Sequence, residues 1–472
     1  MQIDDDGDVF PTVFKVNVRT GAMRAALRQR APITHWVADR DGVVRFGYGY
    51  RERKGQYIAR DSEQSEWRTV SRFDRFDGMD WQVLGFGSTP NALLVSAVYN
   101  GRGAIWEMDL SDQNERQLLF APPQVDVDSV LTAPRSERII GFAYETDRPS
   151  VHWIDSNAAS IDQSIKAVLP NTHNRVLGGS RDGRRLLIFA FSDVDPGSYH
   201  LLDLDARAID RLGRRNSLLP TDSLATMQSV SIPGPDGIRI PGYLTVPNGR
   251  EPRGLPAVVL PHGGPYARDS WGYDRLVQLL ANSGYAVLQP NFCGSTGYGQ
   301  AWMDAGYQGW GTVMHDDITS SARWLIEQGI ADASRICIVG WSYGGYPALI
   351  GAIKEPRLYR CAVSIAGVSD MKDLQADNSR FYGGRVAEQR RSRCLCCWCT
   401  APPISRSSTI TRASWRGRFR GKARHTNWSS SRTDPTALSA KSGQCNSTQA
   451  CETFSPGISA RRPSDIATAW CR

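Results

Sequence analysis

Cysteine is nearly missing from the first 389 residues: Cys293, Cys337 and Cys361 are spread through them, and the other seven of the ten crowd into the remainder. Three scattered thiols make no disulfide framework, so the body is expected to be a cytoplasmic, reducing-compartment protein that does not depend on disulfides. Long apolar runs are missing too. None approaches the ~20 residues that cross a bilayer, and Met1-Gln2-Ile3-Asp4-Asp5-Asp6 is unlike a signal peptide, so no membrane partner is expected. What the last stretch lacks is acid. After Gln389 the only carboxylates are Asp434, Glu452 and Asp465, so the basic excess behind the formal charge of +8 is concentrated there. Without that stretch the chain is mildly acidic, and no nucleic-acid partner is expected. At 472 residues it can hold two or more domains, each with its own core.

From the N-terminus to about Leu219 the texture is short β-type segments, aromatics and turn residues, without a helix-length amphipathic period. An alternating strand ending in a polar turn recurs at Val13–Val18, Gln56–Arg60, Ile105–Leu110, Val151–Asp155 and Tyr199–Leu204. A spacing of roughly 45–50 residues is that of propeller blades, with a β-sandwich as the alternative. Asp39-Arg40-Asp41-Gly42 and Ser180-Arg181-Asp182-Gly183 are turn signals between them. About Met227 the texture changes. Asp236-Gly237 between two alternating runs reads as a hairpin, and then Ala257–Leu260, Tyr285–Pro290, Arg335–Val339 and Cys361–Ala366 alternate with helical stretches at Asp274–Asn282 and Asp316–Gln328. Strands alternating with helices call for a doubly wound, mostly parallel sheet. The expected domains are 1–226, an all-β propeller-like unit; 227–389, an α/β unit; and 390–472, a basic, Cys-rich, disordered tail.

The β-branched run Ile336-Cys337-Ile338-Val339 leads into Gly340-Trp341-Ser342-Tyr343-Gly344, and Pro347–Ile353 follows as a helix. This is the context of a nucleophile elbow, where a serine sits on a strained strand-to-helix turn and flanking glycines remove side chains that would clash. Ser342 is the candidate nucleophile. Such a serine needs a base, a group to orient it, and donors for the developing oxyanion. Pro261-His262-Gly263-Gly264-Pro265 follows the first apolar strand, where an oxyanion loop belongs, and Gly264 and Tyr343 are the candidate N–H donors. His315-Asp316-Asp317 reads as a helix start rather than a catalytic pair, because acids favour the positive end of the helix dipole.

With Asn291-Phe292-Cys293-Gly294-Ser295-Thr296-Gly297-Tyr298-Gly299 between them, the His-Gly-Gly-Pro and Gly-Trp-Ser-Tyr-Gly-Gly-Tyr motifs resemble the prolyl oligopeptidase family over roughly Asp236 to Asp373. Its acylaminoacyl-peptidase and dipeptidyl-aminopeptidase-like members are the most similar. The resemblance implies an α/β-hydrolase domain behind a β-propeller, a serine peptidase acting on short peptides without a cofactor, Ser342 as nucleophile, and Gly264 and Tyr343 as oxyanion donors. Two departures stand out. Cys293 occupies the place of the family's arginine, and the β region is short, which implies missing N-terminal blades and an incomplete propeller.

Acid and base should follow the serine, yet the only later histidine is His425, and neither it nor Asp434 has a strand-end context. Cys394, Cys396, Cys397 and Cys399 give Cys-x-x-Cys spacings without a second such pair, so no metal is expected; a non-catalytic propeller binding protein with a metal-binding tail is the alternative. A different account comes from the genetic code, if each hidden residue is spelled by the last base of one visible codon and the first two of the next. Cys396-Cys397 and Cys397-Trp398 then each force Leu, Trp398-Cys399 forces Val, and Cys399-Thr400 leaves His or Tyr. The next codons permit Gly-x-x-Asp, and in the same frame Pro435-Thr436 permits His. The expectation is a frameshift between Gln389 and Cys394 that removes the family's acid and base and leaves this chain inactive or impaired.

Overall fold

The computed structural model describes residues 2–3, 10–370 and 374, apart from 52, 75–80, 88, 113–114 and 134–137. The tail from Arg390, with its cysteines, His425 and Asp434, lies outside the described residues, and so does the expectation that it is disordered. Up to Arg214 the described residues form five antiparallel sheets of three or four strands, each built from strands consecutive in the chain. The five repeated segments fall one to a sheet, in Thr12–Val16, Lys54–Ala59, Arg102–Asp109, Pro149–Trp153 and Ser198–Asp203. The repeat is therefore one sheet long, and the arrangement is β-propeller-like.

Successive sheets pack face to face. Phe46, Tyr57 and Trp81 join Leu93, Val95 and Met108 in one core, and Leu94, Ile105 and Phe142 form the next. Tyr57 lies flat on Trp81 with ring centres 4.0 Å apart and donates its hydroxyl proton to the Trp81 carbonyl at 2.8 Å. The region is not all-β, however. Ser156–Val168 is an α-helix whose N-cap, Asp155, accepts from the Ala158 N–H at 2.8 Å. Its apolar stripe is narrow, Ile161 and Ile165 with Leu169 just beyond, against Leu186 and Ile188. That narrowness, next to a strand that ends in the capping aspartate, hides the helical period.

From Met227 a six-stranded sheet runs in the order Met227–Pro233, Arg239–Thr245, Ala286–Pro290, Leu255–Val259, Ala331–Trp341, Cys361–Ile365. The first two pairings are antiparallel and the other three parallel. Alternate residues feed two cores. Ala257, Val259, Ala286, Leu288, Ile336 and Ile338 face the helix Val313–Glu327 through Met314, Ile318, Ala322 and Leu325. Val258, Val287 and Val339 face the helix Arg275–Asn282 through Val277 and its neighbours. A sheet covered on both faces explains the unbroken apolar runs of its central strands.

The disulfide-free body expected from cysteine usage is corrected at one place, since Cys337 and Cys361 are bonded. They are 24 residues apart in sequence, but the helix Gly345–Lys354 returns the chain to the neighbouring parallel strand in the register that puts them opposite, Cα atoms 4.7 Å apart.

Candidate active site

The central strand Leu255–Val259 connects to Ala286–Pro290 on one side and pairs with Ala331–Trp341 on the other, so the order of connection reverses beside it. In open α/β sheets, ligands bind outside the carboxyl ends of strands at such a point. Two loops leave there side by side, Pro261–Pro265 and the corner at Ser342.

Ser342 is exposed and has φ +55°, in the left-handed region that non-glycine residues rarely occupy. Strand Ala331–Trp341 ends at its door, a single 3-10 turn spans Ser342–Gly344, and helix Gly345–Lys354 begins. The bend is tight enough that a Cβ on Gly340 would overlap the Gly344 carbonyl, and one on Gly344 would overlap the Pro261 carbonyl. Those two contacts are why the motif needs glycine on both sides of the serine. The second also packs the corner against the His262 loop. A Cβ on Gly263 would lie 3.4 Å from Ser342 Cβ, so Gly263 and Gly264 stand beside the hydroxyl-bearing residue. Tyr343 is buried, in a cluster with Phe292, Trp310 and Tyr346.

His262 is held on both nitrogens. Nδ1 lies 2.8 Å from the Gly263 carbonyl and Nε2 lies 2.8 Å from Ser295 Oγ, while the ring stacks on Phe292. Burial pulls its pKa down to about 4, against the smaller upward effect of the Gly263 carbonyl, so it is a neutral imidazole at pH 7. The loop Asn291–Gly299 that supplies Ser295 is clamped from below and from the propeller-like side. Asp317, buried in the helix Val313–Glu327, accepts from the Cys293 N–H at 2.9 Å. Asp126 accepts from the Gly299 N–H at 3.1 Å, and the Asp126 N–H donates to the Gly297 carbonyl at 2.9 Å. At the family's arginine position, Cys293 is a buried thiol whose pKa is raised by burial and by Asp317, so it stays protonated.

Further groups were not singled out in the sequence. Arg268 lies over Tyr298 and donates to its hydroxyl at 2.9 Å and to the carbonyls of Glu145 and Thr146, at 3.3 Å each. Glu145, buried, accepts from the Tyr243 hydroxyl at 3.2 Å and the Trp271 N–H at 3.0 Å. Asp269 is raised to about 7, chiefly by burial and then by Asp274. Only the crowding of charged and aromatic residues on 266–274 hinted at this seam; their partners across it, Glu145 and Thr146, are over a hundred positions away.

Of the expected site residues, Ser342 and Tyr343 lie together in the 3-10 turn of the corner, and Gly264 follows Gly263, which stands against Ser342. The base and its orienter are not met with. Among the described residues no histidine follows Ser342, and neither His262 nor the buried His315 hydrogen-bonds to it. Asp316 sits in the first helical turn, as a helix start requires. Among the described residues no cluster of His, Cys, Asp or Glu could hold a metal, and no helix is long and apolar enough to cross a membrane.

Residues 271–393 match the prolyl oligopeptidase family. The chain is 28% identical over 381 residues to dipeptidyl aminopeptidase BIII of Pseudoxanthomonas mexicana, covering 77% of this chain and 53% of that one. It is 25% identical over 403 residues to dipeptidyl peptidase family member 6 of Caenorhabditis elegans, with coverages of 79% and 54%. The chain thus spans about half the length of these relatives. Among solved structures it resembles a puromycin-hydrolyzing peptidase of Mycobacterium tuberculosis, TM-score 0.60 at 21% identity over 78% of this chain and 57% of that one, a likeness of fold. The serine corner lies inside the stretch that matches the prolyl oligopeptidase family.

Proposed function

We propose that this chain is built for serine-type acyl transfer on short peptides, with Ser342 attacking the scissile carbonyl and the N–H groups of Gly264 and Tyr343 receiving the oxyanion. The observation that carries it is the position of Ser342: exposed, at φ +55°, on a strand–turn–helix corner, with the Gly263–Gly264 loop against it at the carboxyl end of a parallel sheet. The finer reading is an α/β-hydrolase domain over 227–389 behind a propeller-like unit over 1–226. Peptides as substrates are supported by the dipeptidyl aminopeptidase and dipeptidyl peptidase relatives.

This chain as translated is expected to turn over slowly or not at all. The family's acid and base belong after the serine, and the hidden frame beyond Gln389 forces Leu-Leu-Val, leaves His or Tyr next, and permits Gly-x-x-Asp and a later His. Losing triad members costs several orders of magnitude in kcat. Labelling by a fluorophosphonate probe, with Ser342→Ala as control, tests the nucleophile. Slow labelling confined to Ser342 is the expected result, and labelling that survives the Ala substitution would remove it from the role. Re-reading the coding DNA after Gln389 tests the second half, because the other frame is either open through both motifs or interrupted.

A further inference from the structure

We propose that a cavity between the strand Pro149–Trp153, the helix Ser156–Val168 and Trp271 is a binding site for a small oxyanion, a carboxylate or a tetrahedral ion such as phosphate. None of its lining residues belongs to the serine corner or to the loop Pro261–Pro265, so the site stands independently of the acyl-transfer reading. Its volume is about 130 Å³. An engineered cavity of ~150 Å³ takes up benzene, so an occupant of four or five heavy atoms fits here. That engineered cavity is lined by hydrocarbon. This one is lined largely by charged groups, amides and an imidazole.

Trp271 is buried, and the Arg148 guanidinium lies over its ring with Cζ 4.6 Å from the ring centre. A guanidinium stacked this way keeps its N–H edge available. Among the described residues Arg148 has no ion pair, and its guanidinium donates no hydrogen bond, so that edge is unfilled. The helix contributes Lys166, held by Asp162 at 2.7 Å. Asp162 is the only carboxylate among the described lining residues, and the oxygen that meets Lys166 also accepts from the Trp153 indole N–H at 3.0 Å. Its charge is therefore met inside the wall, and that of Arg148 is not. Asn171 and His173 bring polar groups without a hydrogen-bond partner among the described residues; His173 packs edge-on against Phe191. Burial, with the nearby Arg175, pulls His173 down to about 4, so its ring is neutral at pH 7 and can donate one N–H. Two cations against one spent carboxylate favour an anion over a cation, and the unpartnered donors disfavour an apolar occupant. Such an ion would bridge both sides of the seam, because the backbone N–H of Trp271 is already held by Glu145.

Inorganic phosphate and acetate are to be titrated separately into the full chain at fixed ionic strength and followed by calorimetry. The proteins are the parent, Arg148→Ala, Lys166→Gln and, as a control, Arg181→Ala in the turn that closes the hairpin of His173–Gly179 at its far end. Thermal unfolding of each confirms that it is folded. The parent should take up one ion per chain, saturably, and its unfolding midpoint should rise with that ion. Arg148→Ala should bind roughly 10–100-fold more weakly, the loss of charge-assisted hydrogen bonds to the ion, Lys166→Gln should weaken it by a smaller factor, and Arg181→Ala should match the parent. Tighter binding of phosphate assigns a tetrahedral occupant, and tighter binding of acetate a carboxylate. Should Arg148→Ala not fold, Arg148→Lys, which keeps the charge and loses the fork, takes its place and should also bind more weakly. Absence of saturable binding of either ion to the parent, parent-like affinity in the folded variant at position 148, or an equal loss in Arg181→Ala overturns the proposal.

Discussion

A single methyl is enough to spoil the serine corner. Ala at Gly344 places its Cβ on the Pro261 carbonyl, and because the obstacle is backbone of a neighbouring loop it cannot swing away. Gly344→Ala should lose about 1–3 kcal/mol in denaturant unfolding and at the same time push the oxyanion loop off Ser342. Asp269 makes a different kind of prediction. Its Oδ2 and the neighbouring Gln289 Oε1 are both buried acceptors without a donor, which a proton on the carboxyl would reconcile. Its folded pKa of about 7 stands above the ordinary 3.8, so the folded state binds the proton more tightly than the unfolded chain. This group's contribution is most favourable when protonated, declines as pH rises from about 4 to about 7, and is level above that. Plotting the urea midpoint against pH for the parent and Asp269→Asn checks it: the parent should fall across that window by more than the variant does.

Among the elements, the helix Ser156–Val168 depends on its cap. Asp155→Ala removes the acceptor for the Ala158 N–H and should cost about 1 kcal/mol, readable as a lower urea midpoint. The crosslink between Ala331–Trp341 and Cys361–Ile365 is the other local device. Reduction, or Cys337→Ala with Cys361→Ala, should lower stability by ~2–4 kcal/mol, and an unchanged thermal midpoint in reductant would show that the bond adds nothing. The same elements show what sequence can disclose. The hairpin about Asp236-Gly237 was legible because turn chemistry is local, and so was the serine corner, since Gly340 is demanded by a contact with Gly344 inside the same turn. The pairing of Cys337 with Cys361 was not, because it depends on which strands become neighbours and in what register. The His262–Ser295 bond, 33 positions apart, was hidden for the same reason: each residue sits in a recognisable motif, but nothing in either motif names the other. The helix at Ser156 was missed because two or three apolar side chains suffice to dock it.

At the scale of the molecule, the propeller-like sheets and the six-stranded sheet meet through a small set of buried polar groups. Glu145 takes the Trp271 N–H and the Tyr243 hydroxyl, Asp193 takes the Met227 N–H at 2.7 Å, and Gln278 donates to the carbonyls of Asp193 and Ala225. Glu145→Ala leaves the Trp271 N–H buried without an acceptor. It should cost ~1–3 kcal/mol and raise the rate at which a protease cuts near Arg215–Leu219; unchanged cutting would show that the seam holds without it. By contrast, the serine corner and the glycine loop spring from adjacent rungs of one ladder, where Val259 stands opposite Ile338. Their separation is a lattice constant of the β-sheet, about 4.8 Å from strand to strand, and not an adjustable distance between bodies. Blades could be added, lost or exchanged around such a pair over evolutionary time while the gap across which a carbonyl must fit stayed the same width.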